Sequence, residues 1–479
     1  MKVIIVGDGV AGLSLANMLQ KYCKSIKIIQ NNSLNQNNIH NVGIWSFGAK
    51  ILSNIGIIDP NKDLCYVHNT SYRTPSNYTL ASPSFNKLDG ILHDDSHISK
   101  QPKKPTLGFL TEEFLLNKLY KNLNNQVSIE CSEIKSINTE TNTIKTIITT
   151  TATTTNTAPT TKANDEKEVE VELSYDLLVI ADGMYSSTRS LIWKHLSISS
   201  FLCNRGYVVY RGTSPRLVDN QEGFQTWGPG KRFAVVPSVN NTNAWYAAIS
   251  TQLLKSNSLE NSDMRGKKDG IECSDDDLNE LSALFHDWHD PISSLISKSL
   301  RPITRTIAKA SPTPYSLLSK DTNSNNNSSL LSSYNSIVCL GDAYHTLDPI
   351  LAQGTGVAIE DAAHLVECLK YYGLKENENE DKDDNTSIRT SKDDKKVYNY
   401  SDHEIISRSL KLFQEQRKNR INRLHFLSDA AQLVGHIDSP FFCSIRNLKL
   451  SLYFKSLSSF FFDQAIMASL GGREWPTKK

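Results

Sequence analysis

The chain has 479 residues and a formal net charge of +1, with 39 % hydrophobic and 22 % charged residues, the make-up of a globular protein of two or three domains. So balanced a charge gives no electrostatic reason to expect nucleic acid, and no run of about 18 uncharged apolar residues suits a membrane span. Eight cysteines without a CxxC or a His-flanked pair point to reduced thiols rather than disulfides or a metal site.

In chain order, Val3 to Val6 is a short apolar run of the buried parallel-strand kind, beginning so near Met1 that no leader segment is expected. It runs into Gly7-Asp8-Gly9-Val10-Ala11-Gly12 and a helical pattern from Leu13 to Tyr22. Here Gly7 makes the tight turn, Gly9 lets a pyrophosphate approach the backbone, and Gly12 lets helix and strand pack closely, with the helix dipole toward the phosphates. By itself this motif serves NAD and FAD alike. The second strand, Ile26 to Ile29, ends in Gln30, where an acid is expected to hold ribose hydroxyls. An amide still accepts a hydrogen bond there, weaker by about 1 kcal/mol for want of charge.

Val127 to Ile137 reads as strand and bend, and 149–168 as a polar surface loop between two hairpin strands. The stretches 255–277, 321–329 and 375–396 are further polar insertions, expected at the surface without chemistry. Tyr175 to Ile180 is an apolar strand that delivers Asp182, with Gly183 permitting a turn and Arg189 in the next helix. From Phe201 the period changes. Gly206 to Gly212, Arg232 to Pro237 and Ala244 to Ile249 read as strands of a mixed or antiparallel sheet, and Leu278 to Ser299 as helix interrupted at Pro291. The histidines have no ligand spacing, so no metal ion is expected.

Ile337 to Leu340 is again a buried-type strand, and it hands over to Gly341-Asp342 at its C-terminal tip, where open α/β sheets bind ligands. Ala352 to Gly356 then opens a helix with apolar residues at Val357, Ile359, Ala362, Leu365, Val366 and Leu369. Asp342 can hold a hydroxylated chain while the helix start presents free N–H groups to a ring or phosphate. Leu448 to Leu470 is rich in Phe and Leu; its basic face is thin, which favours packing over the substrate region rather than a membrane-surface helix.

Gly341-Asp342-Ala343-Tyr344-His345, Pro349 and Ala352-Gln353-Gly354 resemble the second FAD motif of the FAD-dependent aromatic hydroxylases, the single-component flavin monooxygenases typified by para-hydroxybenzoate hydroxylase. Tyr344 and Ala352 depart from the family's Ala and Gly. Asp182 to Arg189 resembles the family motif that serves both the FAD pyrophosphate and the use of NAD(P)H. With the N-terminal glycine loop, three motifs stand in the family's order. The resemblance implies an α/β fold: an FAD-binding, two-dinucleotide-type Rossmann-like domain from 1–80, 100–200 and 330–370. An inserted mixed β-sheet substrate domain over 201–330 with part of 80–100, and a helical C-terminal region over 400–479, complete it; Phe413 to Arg417 resembles the closing helix.

The resemblance also assigns residues. Gly7, Gly9, Val10, Ala11 and Gly12 fall at the pyrophosphate, Gln30 at the adenosine ribose, and the backbone near Ile134 at adenine. Asp182, Gly183 and Arg189 support the pyrophosphate. Asp342 binds the ribityl chain, Gly354, Thr355 and Gly356 lie near the isoalloxazine, and Gly341, Pro349 and Gln353 belong to the same cofactor-binding set. Around Gly43-Ile44-Trp45-Ser46, packing is expected of every residue but Trp45. Tyr210-Arg211-Gly212 resembles a strand facing the flavin, where Arg211 reaches the N5 edge as a catalytic group; the competing reading is an ordinary surface or ion-pair arginine. His345 is structural in relatives.

The implied function is an FAD- and NAD(P)H-dependent monooxygenase that inserts one oxygen atom from O2 into a mostly apolar, aromatic or polyunsaturated small molecule through a flavin C4a-hydroperoxide. A cytoplasmic location goes with it. Two alternatives stand beside it: a flavin-dependent reductase or oxidase of a prenyl or carotenoid substrate, and a non-enzymatic binding protein on the same scaffold, like the GDP-dissociation inhibitors.

Overall fold

Strands with no polar residue on either face must be covered on both sides, and Leu177–Ile180 and Ile337–Cys339 are of that kind. In the computed structural model, which describes residues 1–30, 40–82, 107–150, 167–193, 201–219, 222–255, 270–312, 336–376 and 401–456, Lys2–Val6 is the centre of a five-stranded parallel sheet. Its order is Ile337–Cys339, Leu177–Ile180, Lys2–Val6, Ser25–Gln30, Val127–Cys131. Val3 and Ile5 point into a core with helices Val10–Leu19, Ser46–Asn54, Glu112–Lys121 and Gly354–Tyr372. Ile4 and Val6 point the other way, into a cluster with Ile134, Ile144 and Tyr175. That side is closed by a three-stranded antiparallel sheet, Glu133–Asn138, Thr143–Thr150 and Lys167–Ser174. The hairpin expected on either side of the polar loop is thus present, and it takes in the ends of the expected 149–168 loop, 149–150 and 167–168; 151–166 lie outside the described residues, as do 321–329 and nearly all of 375–396.

The second sheet has eight strands in the order Ile271–Glu272, Leu300–Ala310, Cys203–Pro215, Thr242–Ser250, Lys231–Ser238, Glu222–Gly228, Asn69–Arg73, Thr79–Ala81. It is mixed: Asn69–Arg73 runs parallel to Glu222–Gly228, and the other pairs are antiparallel. Two corrections to the expected boundaries follow. Asn69–Arg73 and Thr79–Ala81 belong to this sheet rather than to the first domain. The end of the expected 255–277 insertion is built structure, because Asp275–Phe285 is a helix whose Ser274 and Asp277 form a reciprocal cap, and buried Asp277 pairs with Arg305 at 3.2 Å. The helical stretch breaks at Pro291 as expected and resumes at Ile292–Ser297.

Period-2 alternation gives the sheet two unlike faces. Val208, Tyr210, Phe233, Val235, Trp245, Ala247 and Ile249 pack on Leu281, Phe285, Trp288 and Ile292 of the two helices. The opposite face carries Val209, Arg211, Arg232, Ala234, Tyr246 and Ala248, and it looks toward the tips of the parallel sheet.

A 34-residue helix, Asp402–Gly435, starts in a capping box between Ser401 and Glu404 and lies along Gly354–Tyr372. Pro440–Ser456 follows it; the remainder of the Phe-rich C-terminal stretch is outside the described residues. No helix among the described residues is long and apolar enough to cross a membrane.

Candidate active site

Three loops leave the C-terminal ends of neighbouring parallel strands, and each ends at the wall of one cavity of about 930 Å³, near the upper end for ligand pockets. The first is the glycine loop. A Cβ on Gly12 would lie 2.0 Å from the Gly7 carbonyl oxygen, so only glycine lets helix Val10–Leu19 seat there. A Cβ on Gly9 would meet no atom within 4 Å: the helix start opens onto free space, a cradle for an anionic ligand. Gly7, Gly9, Val10 and Ala11 line the cavity, and Gly12 lies beneath them.

The second loop brings Asp182 and Gly183 to the wall. Asp182 Oδ2 accepts the Thr188 N–H at 3.4 Å, whereas Oδ1 is buried without a partner. Burial pushes its carboxyl above the usual range. Arg189, expected at the cofactor, is elsewhere. Its fully buried guanidinium donates to the Ala343 carbonyl at 2.7 Å and the Met184 carbonyl at 3.3 Å, and lies 3.7 Å over the Phe201 ring. It is a positioning residue that ties the second loop to the third.

The third loop carries Asp342, Pro349, Gln353, Gly354 and Thr355 to the wall. Gly341, at φ +56, turns the chain out of the strand, and its N–H donates to Asp361 Oδ2 at 2.9 Å. Gly341 and Gly356 stand behind the wall. Gln353 is almost wholly buried, and both its amide oxygen and its amide nitrogen lack a partner. A primary amide left with neither donor nor acceptor satisfied calls for a ligand that offers both. Ala352 sits at φ +50, ψ +40, a left-handed conformation unfavourable for a residue with a Cβ. Ala352→Gly is therefore expected to stabilise the protein by up to about 1 kcal/mol, read as a higher thermal midpoint; an unchanged or lower one shows the strain to be relieved by neighbours.

Asp348 fixes this loop to the sheet. Its buried carboxylate accepts from Tyr207 Oη at 2.5 Å, Arg205 Nε at 2.9 Å and the Ile350 N–H at 3.0 Å. His345 is held in turn by Asp361 at 2.6 Å, Asp361 by Arg417 at 2.8 Å, and Glu360 by Arg417 at 3.1 Å and Arg420 at 2.9 Å, all buried. Burial alone would raise the Asp361 carboxyl, but His345 and Arg417 hold it well below the usual range. His345 thus has a structural partner and does not line the cavity.

The sheet supplies the opposite wall. One row of laterally paired residues runs Tyr72, Gln225, Ala234, Tyr246, Arg211; the next runs Trp227, Arg232, Ala248, Val209. Arg211 therefore faces the cavity, beside Tyr246, whose phenol is pushed up to about 12 by burial despite that arginine. Trp45 lines the cavity, as do Asn41 and Val42, and so does Gly43, for which packing alone was expected.

Besides Gly12, Arg189, Gly341 and Gly356, two further expected cofactor residues are not brought to the wall. Gln30 ends its strand away from the cavity, next to 31–39, which lie outside the described residues. Ile134 is buried in the apolar cluster behind the parallel sheet. Sequence reasoning missed Tyr72, Gln225, Trp227 and Arg232. The signal for Arg232 lay in Arg232-Phe233-Ala234-Val235-Val236: alternation puts an arginine on one face with Ala234 and Val236, and a charge sharing a face with small apolar residues points to a lined interior.

Unpartnered Gln353, orphaned Asp182 Oδ1 and the open helix start at Gly9 fit one long ligand with phosphates at one end and a hydrogen-bonding ring at the other.

Comparison with known proteins adds independent findings. No family model matches the sequence. The chain is similar to an aurachin C monooxygenase/isomerase of Stigmatella aurantiaca, 31 % identical over 206 residues, covering 41 % of this chain and 43 % of that protein. It is also similar to the FAD-dependent monooxygenase cdmI of Talaromyces verruculosus, 24 % identical over 389 residues, covering 77 % and 68 %. The matched part thus spans less than half the length of the first relative. Among solved structures, Klebsiella pneumoniae HpxO complexed with FAD and uric acid superposes with a TM-score of 0.66 over 98 % of this chain and 97 % of that one. At 16 % identity that likeness speaks for the fold.

Proposed function

The chain is a relative of the FAD-dependent aromatic hydroxylases, and from that premise we propose that it is an NAD(P)H- and FAD-dependent monooxygenase acting on a mostly apolar aromatic or polyunsaturated small molecule. Into that molecule it inserts one oxygen atom of O2. The observation that carries this reading is the unpartnered, buried amide of Gln353 at the cavity wall, immediately before the helix Gly354–Tyr372 and in the cavity that the glycine loop also lines. FAD bound there supplies electron transfer from NAD(P)H and the activation of O2.

The protein's part is to hold and to shelter. Gly7, Gly9 and Gly12 give the pyrophosphate a backbone cradle. Asp182 and Asp342 offer acceptors to hydroxyls and N–H groups, and Gln353 with the N–H groups at Gly354 to Gly356 meets the ring. Arg211 aims a positive charge at the reacting end, where a preorganised charge acts most strongly in a dry site. Domain roles follow: the parallel sheet with 336–376 holds the cofactor, the eight-stranded sheet the substrate, and 401–456 closes both.

The test is whether FAD-loaded protein shows substrate-stimulated NADPH oxidation and places labelled oxygen from O2 in the product. NADPH oxidation with no label incorporated leaves a reductase or oxidase, and a protein that takes up no FAD leaves a binding protein; the relatives favour neither. Asp342→Ala is expected to release FAD, because a charged hydrogen bond to a ribityl hydroxyl contributes about 1.5–3 kcal/mol. Absorbance of the purified variant checks this, and full flavin occupancy removes Asp342 from the site.

A further inference from the structure

The helix Pro440–Ser456 is apolar on two opposite sides. At about 100° per residue, Phe441, Ile445, Leu448 and Leu452 fall within an arc of roughly 60°. All four are exposed, from 36 % at Ile445 to 69 % at Phe441, and Phe442, 58 % exposed, meets Phe441 at 5.5 Å. The other side is spoken for. Cys443 Sγ donates to the Ile437 carbonyl at 3.2 Å, Arg446 to the Val434 carbonyl at 3.2 Å, and Leu450 lines the cavity. The packing over the substrate region expected of this stretch accounts for that inner side alone.

The outward stripe has neighbours of its own kind. On the helix Asp402–Gly435, Phe426 and Leu433 are 71 % and 74 % exposed, and Ala430 between them, exposed as well, lines the cavity. Tyr78, half-exposed, has its hydroxyl 3.3 Å from Ser451 Oγ. Apolar surface thus runs along the outside of both helices and, through Ala430 and Leu450, into the cavity. A helix apolar on every side is normally covered on every side, and an exposed apolar surface of this extent marks a contact.

Charge decides what makes that contact. From Ser439 to Phe462 the chain has Arg446, Lys449 and Lys455 and no Asp or Glu. Lys449 stands exposed directly after Leu448, with no acidic partner among the described residues. Arg423, also exposed, precedes Phe426 by about one turn, while Asp429 is engaged by Arg205 at 2.6 Å. Lysine is depleted at protein–protein interfaces, whereas an apolar stripe edged by cations and free of acids suits the headgroup region of an anionic bilayer.

We propose that this surface docks on a membrane containing anionic phospholipid, with the helix Pro440–Ser456 lying in the plane of the headgroups. Phe441, Phe442, Ile445, Leu448 and Leu452 enter the acyl boundary, and Lys449 meets lipid phosphate. The cavity then lies beside the phase in which an apolar small molecule concentrates. Docking itself is independent of the monooxygenase reading.

The test is sedimentation of the full chain with vesicles of phosphatidylcholine alone and of phosphatidylcholine mixed with phosphatidylserine. The mixed vesicles are expected to carry the protein down, at least about fivefold more strongly than the zwitterionic ones, and added salt to weaken the binding. Phe441→Ser combined with Leu448→Ser is expected to lower the partition coefficient about tenfold or more. Lys449→Gln is expected to lower it about fivefold on the mixed vesicles and to leave the zwitterionic value unchanged. Both variants keep the parent's thermal midpoint, since the replaced side chains are exposed. Absence of binding to the mixed vesicles, or undiminished binding by the double variant, overturns the proposal. So does a parent that dimerises where the double variant is monomeric, which gives the stripe to a second copy of the chain, or a midpoint several degrees lower in the double variant, which gives it to the chain's own packing. Flavin content is no part of this readout, so a failed vesicle assay leaves the monooxygenase reading untouched.

Discussion

Arg417→Ala is expected to lower folding stability by about 3–5 kcal/mol, the usual effect of breaking a buried ion pair from one side. Arg417 serves two carboxylates at once, Asp361 at 2.8 Å and Glu360 at 3.1 Å, and is itself buried. Removing it leaves Asp361 with His345 and the Gly341 N–H, and Glu360 with Arg420. The loss is read as a lower denaturant midpoint at unchanged slope. Acid provides a second readout. Asp361 and Glu360 both have carboxyls held below their ordinary range in the folded protein, with burial opposing and the basic partners prevailing. Each therefore contributes stability above its unfolded value, near pH 4, that is lost as pH falls toward the folded value. Wild-type stability is expected to fall below about pH 4, and Arg417→Ala to show a shallower acid limb from a lower plateau. A variant as stable as the parent, with the same acid limb, refutes the network's role.

Arg211→Ala is expected to retain FAD and lose product. Under the proposed reading, NADPH is still consumed while hydrogen peroxide leaves in place of the oxygenated substrate, and product formation falls about tenfold to a thousandfold, from roughly 1.4–4 kcal/mol. The case rests on placement. Arg211 is on the cavity face, paired across the strands with Tyr246 and Thr304, and no acidic partner among the described residues holds it in a surface bridge. Product and peroxide are measured against NADPH consumed. A wild-type ratio and rate make Arg211 an ordinary strand residue.

The parts of the candidate site legible in the sequence are those that the backbone itself places. Gly7 to Gly12, Asp182-Gly183 and Gly341-Asp342 stand at strand tips because apolar strands followed by glycine dictate a turn there, whatever surrounds them. Side-chain direction is harder to read. Arg189 occupies the expected position on its helix, yet it turns inward to two carbonyls, a choice fixed by the Ala343 loop more than 150 residues later. Arg232 was read as part of a strand and no more, because its importance depends on which of two sheet faces is covered by helices Asp275–Phe285 and Ile292–Ser297. The His345, Asp361 and Arg417 network was hidden for the same reason: its members are separate in sequence and meet only when two long helices pack.

The alternation along the eight-stranded sheet separates two kinds of inherited information. In Lys231–Ser238, Phe233 and Val235 answer to the helices behind, while Arg232 and Ala234 answer to whatever the cavity receives. Substitutions of the second kind leave the packed face untouched. Within the cavity face, Trp227 meets Tyr72 edge-on, donates to Gln225 and pairs across the strands with Arg232, and residues in contact are not additive. A lineage, or a mutagenesis library limited to Tyr72, Gln225, Trp227, Arg232 and Tyr246, therefore moves between substrates by coupled sets of changes while the packing on the helices behind stays as it is.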